Sequence, residues 1–270
     1  MPETTADTLP LAGRKDEDMP GHWLLARMGK RVLRPGGKEL TRHLLADAAL
    51  AGADVVELAP GLGKTATEIL EHSPRSYVGI EADPQAVALT EQAIVGRGTV
   101  RHADADATGL DDASADAVVG EAMLTMQTER GKSAIIDEAF RVLRPGGRYA
   151  VHELSLHPDT LSDDAKTEIR KALARSIKVN ARPLTEVEWR ELFEKAGFEV
   201  EQVRFAPMAL LETRRMIADE GIVGTLKIGY NIARNAAARK RILDMRSVFI
   251  RYRDQMSAIE VIVRKPRVAE

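Results

Sequence analysis

Residues 55–65 read Val55-Val56-Glu57-Leu58-Ala59-Pro60-Gly61-Leu62-Gly63-Lys64-Thr65. A β-branched run passes into small residues and then into a helical pattern. Glycines there let the backbone turn tightly and approach a ligand at the N-terminus of the following helix. Gly63-Lys64-Thr65 has the end of a phosphate-cradling loop, but the position that should hold its first glycine is Leu58, so the anion nest is incomplete. Gly61-x-Gly63-x-x-Ala66 fits a dinucleotide fingerprint, with Glu81 at the spacing expected for ribose hydroxyls. Against a dinucleotide stands Glu57, an acid at the end of the strand that would meet a pyrophosphate with the wrong sign. It suits a cationic or amino-bearing ligand better.

Outward from this loop, short strand-like runs alternate with helical patterns. Asp54–Leu58, Tyr77–Glu81, Thr99–His102, Ala117–Gly120 and Tyr149–Glu153 read as strands, with helices around Thr65–Glu71, Gln85–Ile94 and Lys132–Leu143. Such alternation implies right-handed crossovers and a mostly parallel sheet, with ligands at the carboxyl ends of its strands. Two more helices are expected at Asp163–Val179 and Thr185–Ala196, then strands at Glu199–Phe205 and Ala258–Val263. Leu210–Tyr252 between those strands is helical in pattern. The heptapeptide RVLRPGG occurs at Arg31–Gly37 and again at Arg141–Gly147. Its flanks diverge, and both copies read as a helix ending before Pro-Gly-Gly.

The chain has 270 residues, 44% hydrophobic and 30% charged, enough for one large domain or two small ones. The motif order favours one domain over 20–270, with an N-terminal helical cover at 20–50 and a helical insertion at 210–253. Residues 1–19 are expected to form a mobile tail. A formal net charge of −2 argues against holding nucleic acid by bulk charge. The absence of cysteine excludes disulfides, thiolate metal sites and cysteine nucleophiles, and no metal site is expected. The polar N-terminus lacks the apolar core of a secretory signal, and no run of about 18 apolar residues exists to span a membrane. A cytoplasmic location is the expectation.

Four segments in this order resemble a class I (Rossmann-like) S-adenosylmethionine-dependent methyltransferase, most clearly over Leu40–Gly147. The resemblance implies a Rossmann-like, mostly parallel seven-stranded sheet with an antiparallel last strand and a helical insertion between the last two strands. It implies S-adenosyl-L-methionine as cofactor and S-adenosyl-L-homocysteine as product. Glu57, Ala59, Pro60, Gly61 and Gly63 would wrap the methionine part, with Ala59 standing where the first glycine is usual. Glu81, followed by Ala82, would take the ribose hydroxyls, since a carboxylate accepts two hydrogen bonds from a vicinal diol. Asp106 and Ala107 match the turn that holds the adenine, with Asp104 competing for that role. Gly120 and Glu121 end the fourth strand beside the cofactor.

Arg27–Gly37, with four cations, is similar in position to the N-terminal segment of ubiquinone/menaquinone-biosynthesis C-methyltransferases, and Arg34 could reach the cofactor carboxylate.

Methyl transfer from a sulfonium is an in-line displacement, so the protein must chiefly position the acceptor and exclude water. A base is needed only where the acceptor keeps its proton, and the candidates are Glu121, His152 and Glu153. Alternation puts His152 and Glu153 on opposite sheet faces, so at most one should line the pocket. The insertion carries Arg214, Arg215, Lys227, Arg234, Arg239, Lys240, Arg241, Arg246, Arg251 and Arg253 with few acids. That suggests a small-molecule acceptor of anionic or amphiphilic, quinone-like character, contact with an anionic membrane surface, or a homo-oligomer interface. Two rivals remain at this level: an NAD(P)-dependent oxidoreductase, and a non-catalytic protein that binds S-adenosylmethionine.

Overall fold

A computed structural model describes residues 9–267. The chain order is α1 (Gly21–Arg27), α2 (Gly37–Asp47), β1 (Asp54–Leu58), α3 (Lys64–Glu71), β2 (Ser76–Glu81), α4 (Pro84–Ile94), β3 (Thr99–His102) and β4 (Ala115–Glu121), then α5 (Glu129–Val142) and β5 (Leu143–Leu156). It continues with α6 (Asp163–Ile177), β6 (Leu184–Thr185), α7 (Glu186–Lys195), β7 (Glu199–Pro207), α8 (Thr213–Arg234), α9 (Ala236–Arg251) and β8 (Met256–Arg264). The sheet runs β3-β2-β1-β4-β5-β8-β7. Strands β1 to β5 are parallel, and β8 is antiparallel to both its neighbours. All seven expected strands are present. An eighth, the two-residue β6 on the end of β5, has too little periodicity to show in the sequence.

Strand alternation divides the core into two layers. Val56, Val118, Val151 and Val261 face α5 and α7, meeting Ile135, Ile136, Trp189 and Phe193. Val55, Ala117, Val119, Ala150 and Ile262 face α2 and α3, meeting Leu44, Leu45, Ala66 and Ile69. A third apolar cluster joins α1, α6 and α9 beyond the carboxyl ends of the strands, through Leu24, Leu25, Ile169, Leu173, Ile242, Met245 and Phe249. This cluster roofs the edge where the glycine loop emerges.

Local chemistry starts the helices where they are needed. Asp83 caps α4, its Oδ1 accepting the Gln85 and Ala86 N–H groups with Pro84 in the first turn. Thr185 and Glu188 form a capping box at α7. Asn235 separates α8 from α9 and caps the second.

Two expectations are corrected. Residues 9–19 of the expected tail are packed: Leu9 and Met19 are buried, and Arg241 donates to the carbonyls of Asp16 and Met19. Residues 1–8 lie outside the described residues. The RVLRPGG copies also differ. In the second, α5 ends at Val142 and Arg144–Gly147 belongs to the start of β5. In the first, the segment is irregular and leads into α2 at Gly37, so the motif precedes a helix instead of ending one. The same seven residues take opposite roles because their partners differ.

Candidate active site

The glycine loop leaves β1 with three residues in left-handed backbone: Ala59 at φ 54°, Gly61 at φ 59° and Gly63 at φ 68°. Ala59 thus adopts the conformation a glycine would take, and its methyl does not prevent the turn. The two glycines serve different needs. A Cβ on Gly63 would stand 2.7 Å from Ala93 Cβ and 3.0 Å from the Thr90 Cα, so this position lets α3 and α4 close. A Cβ on Gly61 would meet only the Ala59 carbonyl, at 3.9 Å. Gly61 therefore presents bare backbone to a cavity of about 870 Å³ at the carboxyl ends of the strands.

Glu57, Ala59, Pro60, Gly61, Glu81, Ala82, Asp106, Glu121 and Glu153 line that cavity, and Asp104 lines it too. Both adenine-turn candidates are thus present. Gly63, Ala107, Gly120 and His152 are not among its lining residues: Gly63 is spent on helix packing and Gly120 lies against the Tyr149 hydroxyl.

Glu57 is buried and accepts a 2.6 Å hydrogen bond from the Tyr77 hydroxyl. Burial pushes its carboxyl up to about 8, the Tyr77 bond opposing. Glu81 accepts one backbone N–H on each oxygen, from Gly61 at 3.0 Å and Asp83 at 3.1 Å. Each oxygen keeps a second lone pair for an incoming donor. Burial raises Glu81, and those backbone bonds resist the rise.

The three base candidates are committed elsewhere. Glu121 accepts from Arg34 (2.7 Å), Thr41, Thr65 and His152 (2.8 Å). Burial works to raise it, yet Arg34 and His152 hold it down at about 2, so it is an ionised anchor. His152 is fully buried: the Gly36 N–H donates to Nε2 at 3.0 Å, which places the ring proton on Nδ1, facing Glu121. Both nitrogens are therefore occupied, and His152 positions the N-terminal cover instead of serving the cavity. Glu153, on the opposite face as alternation requires, accepts the N–H groups of Met123 (2.8 Å), Leu124 (2.6 Å) and Thr125 (3.1 Å). Its carboxylate shapes the turn after β4. Arg34 lines the cavity while pairing with Glu121 at 2.7 Å and Glu68 at 3.3 Å.

The wall facing this polar set went unread in the sequence. Trp23 and Leu25 of α1, Leu33, Leu173 and Ile177 of α6, Met208, Leu210, and Met245 and Phe249 of α9 line it. Such residues show only as helix or core periodicity, and nothing marks them as sharing a cavity. His22 sits among them. Burial lowers it to about 4, leaving a neutral imidazole near pH 7, tilted against Trp23 at 5.0 Å, with no hydrogen-bond partner among the described residues.

A buried acid under the glycine loop, bare backbone at Gly61, and a strand-end carboxylate with spare lone pairs fit a ligand that joins an amino-bearing cation to a ribose. Comparison with known proteins agrees. Residues 56–151 match the family model described as a methyltransferase domain. An uncharacterised protein of Haemophilus influenzae is 36% identical over 239 residues, covering 86% of this chain and 93% of its own. A protein of Mycolicibacterium smegmatis named a probable S-adenosylmethionine-dependent methyltransferase is 34% identical, over 56% of this chain and 54% of its own. A demethylmenaquinone methyltransferase of Clavibacter sepedonicus is 34% identical over 48% of this chain and 53% of its own. In fold, the chain matches the phosphoethanolamine N-methyltransferase 2 of Haemonchus contortus, solved with S-adenosyl-L-methionine, at TM-score 0.66 and 18% identity over 92% of this chain and 56% of that one.

Proposed function

We propose that the chain, whose residues 56–151 match the methyltransferase-domain family, is a class I S-adenosylmethionine-dependent methyltransferase acting on a small acceptor with an apolar body, of the phenol or quinol type. One observation supports the reading: besides the acids at the strand ends, the cavity is lined by Trp23, Leu33, Ile177, Leu210, Met245 and Phe249. An apolar body buried there gains roughly 25 cal/mol per Å² removed from water. A charged group set against that apolar wall would lose hydration.

When bound, S-adenosyl-L-methionine supplies an activated methyl group on a sulfonium leaving group. Glu57, Ala59, Pro60 and Gly61 would hold its methionine part, Glu81 its ribose, and Asp104 or Asp106 its adenine. Glu57 gives up its proton when a positive group settles beside it, and the carboxylate then offsets that charge. The apolar wall orients the acceptor and excludes water. His22, neutral and uncommitted, would accept a hydrogen bond from the acceptor's hydroxyl at a ring nitrogen and so orient it.

The test pairs calorimetric binding of S-adenosyl-L-homocysteine with turnover assays, read as S-adenosyl-L-homocysteine formed, on phenols and hydroquinones of increasing alkyl length. Binding of the product, and turnover rising with alkyl length, are expected. Turnover confined to hydrophilic amines would overturn the acceptor class. Binding with no turnover on any acceptor would make this a non-catalytic cofactor-binding protein.

A further inference from the structure

The second half of α8 is built inside out. Gly221, at φ 74° and ψ 172°, breaks the helix, and the turns after it show their apolar residues to solvent. Ile222 is 68% exposed, Val223 81%, Leu226 69% and Tyr230 58%. At 3.6 residues per turn these four fall on one continuous stripe, with Ala233 beside them and Lys227 and Arg234 along one edge. The opposite side is already satisfied. Ile228 is buried, and Asn231 donates to the Met28 carbonyl at 3.0 Å. The apolar face is therefore not a core face left uncovered by misorientation.

Charge identifies the occupant. From Gly221 to Leu243 there is no Asp or Glu, while Lys227, Arg234, Arg239, Lys240 and Arg241 all fall within it. Arg241 is buried against the 16–19 backbone, but Arg239 and Lys240 are exposed, as are Arg246 and Arg251 further along α9. Leu243 and Ile250 of α9 add exposed apolar area, 54% and 49%. A second copy is a poor occupant. A two-fold contact through this stripe would bring Arg234 and the acid-free run around it towards their own counterparts. An apolar stripe about 100° wide flanked by cations matches a helix lying in the headgroup region of an anionic bilayer.

We propose that Gly221–Arg251, the second half of α8 together with α9, docks this protein on anionic lipid surfaces, with Ile222, Val223, Leu226 and Tyr230 entering the interface. The proposal needs no identified methyl acceptor, and its test reads lipid binding alone. The whole protein is sedimented with vesicles of phosphatidylcholine, and with vesicles in which about 30% of the lipid is phosphatidylglycerol. Binding roughly tenfold or more tighter to the anionic vesicles is expected, weakening as salt rises. Paired substitutions V223D and L226D should abolish it, and R234A with K240A should reduce the preference for anionic lipid. Unchanged thermal unfolding of each variant establishes that the fold is intact. Four results overturn the proposal. One is failure to sediment with anionic vesicles; another is equal sedimentation by the V223D/L226D protein. The third is a dimer by light scattering that V223D/L226D converts to monomer without any lipid binding, which would make the stripe a self-association surface. Capture of an acidic protein through the stripe, with vesicles ignored, would overturn it in the same way.

Discussion

At the scale of single residues, the site depends on how many hydrogen-bonding places each carboxylate has left. Glu121 accepts four donors and has no place left for an acceptor's proton, whereas Glu153 holds three backbone N–H groups of the turn after β4. Glu81 accepts the Gly61 and Asp83 N–H groups, one on each oxygen, and keeps room for a diol. Replacing Glu81 by Ala should weaken S-adenosyl-L-homocysteine binding by about 1.5–3 kcal/mol, as for loss of a charged hydrogen-bond partner. E81Q should fall between, because it retains one acceptor. Calorimetry on the three proteins checks this, and equal affinities would remove Glu81 from the ribose. Legibility followed the same division. Glu57, Gly61 and Glu81 announce themselves by type and spacing along one strand-loop-helix unit. Nothing local tells His152, locked between Gly36 and Glu121, from His22, open to the cavity, because their partners lie far away in the chain.

Among elements, the glycine loop shows two reasons for one residue type. Gly63 exists for the approach of α3 to α4, whereas Gly61 exists for the cavity. G63A should therefore lose about 2 kcal/mol or more of stability, from overpacking added to the left-handed backbone cost. G61A should lose only about 1 kcal/mol yet bind S-adenosyl-L-homocysteine more weakly, its new methyl standing on the cavity wall. Urea unfolding and calorimetry separate the two, and equal stability losses would refute the division. The central strands were readable because β1, β4 and β8 are apolar runs that both layers bury, while the edge strands β3 and β7 are largely exposed. The helical cover was readable as helix, but not as a wall. Contacts such as Glu220 accepting the Arg31 and Val32 N–H groups, both at 2.8 Å, join segments far apart in the chain.

For the molecule as a whole, buried carboxyls of opposite tendency set the response to pH. Glu57 moves from 4.5 up to about 8 and Glu260 up to about 7, both by burial. Each keeps its proton in the native state where the unfolded chain has lost it, so stability falls as pH rises from about 4.5 through those values. Glu121, held at about 2, works the other way: its contribution is present above 4.5 and lost as pH falls towards 2. The urea midpoint should therefore decline between about pH 5 and about pH 8, and E57Q should decline less. A wild-type midpoint that stays level across that range, or an E57Q profile as steep as the wild type, would contradict this account. No helix among the described residues is long and apolar enough to cross a membrane.

By itself, the sequence determined the parallel sheet, the reversed strand near its end, the glycine loop and the cofactor it is shaped for. Each is encoded in residues close together along the chain, where periodicity and backbone preference act. Only the tertiary structure decided which carboxylates are spent and which histidine is open. It also decided that Leu9–Met19 packs as part of the cover, and that α8 turns its apolar stripe outward. Those outcomes depend on burial and on donors brought from distant segments, and one sequence position carries no record of what will be folded against it.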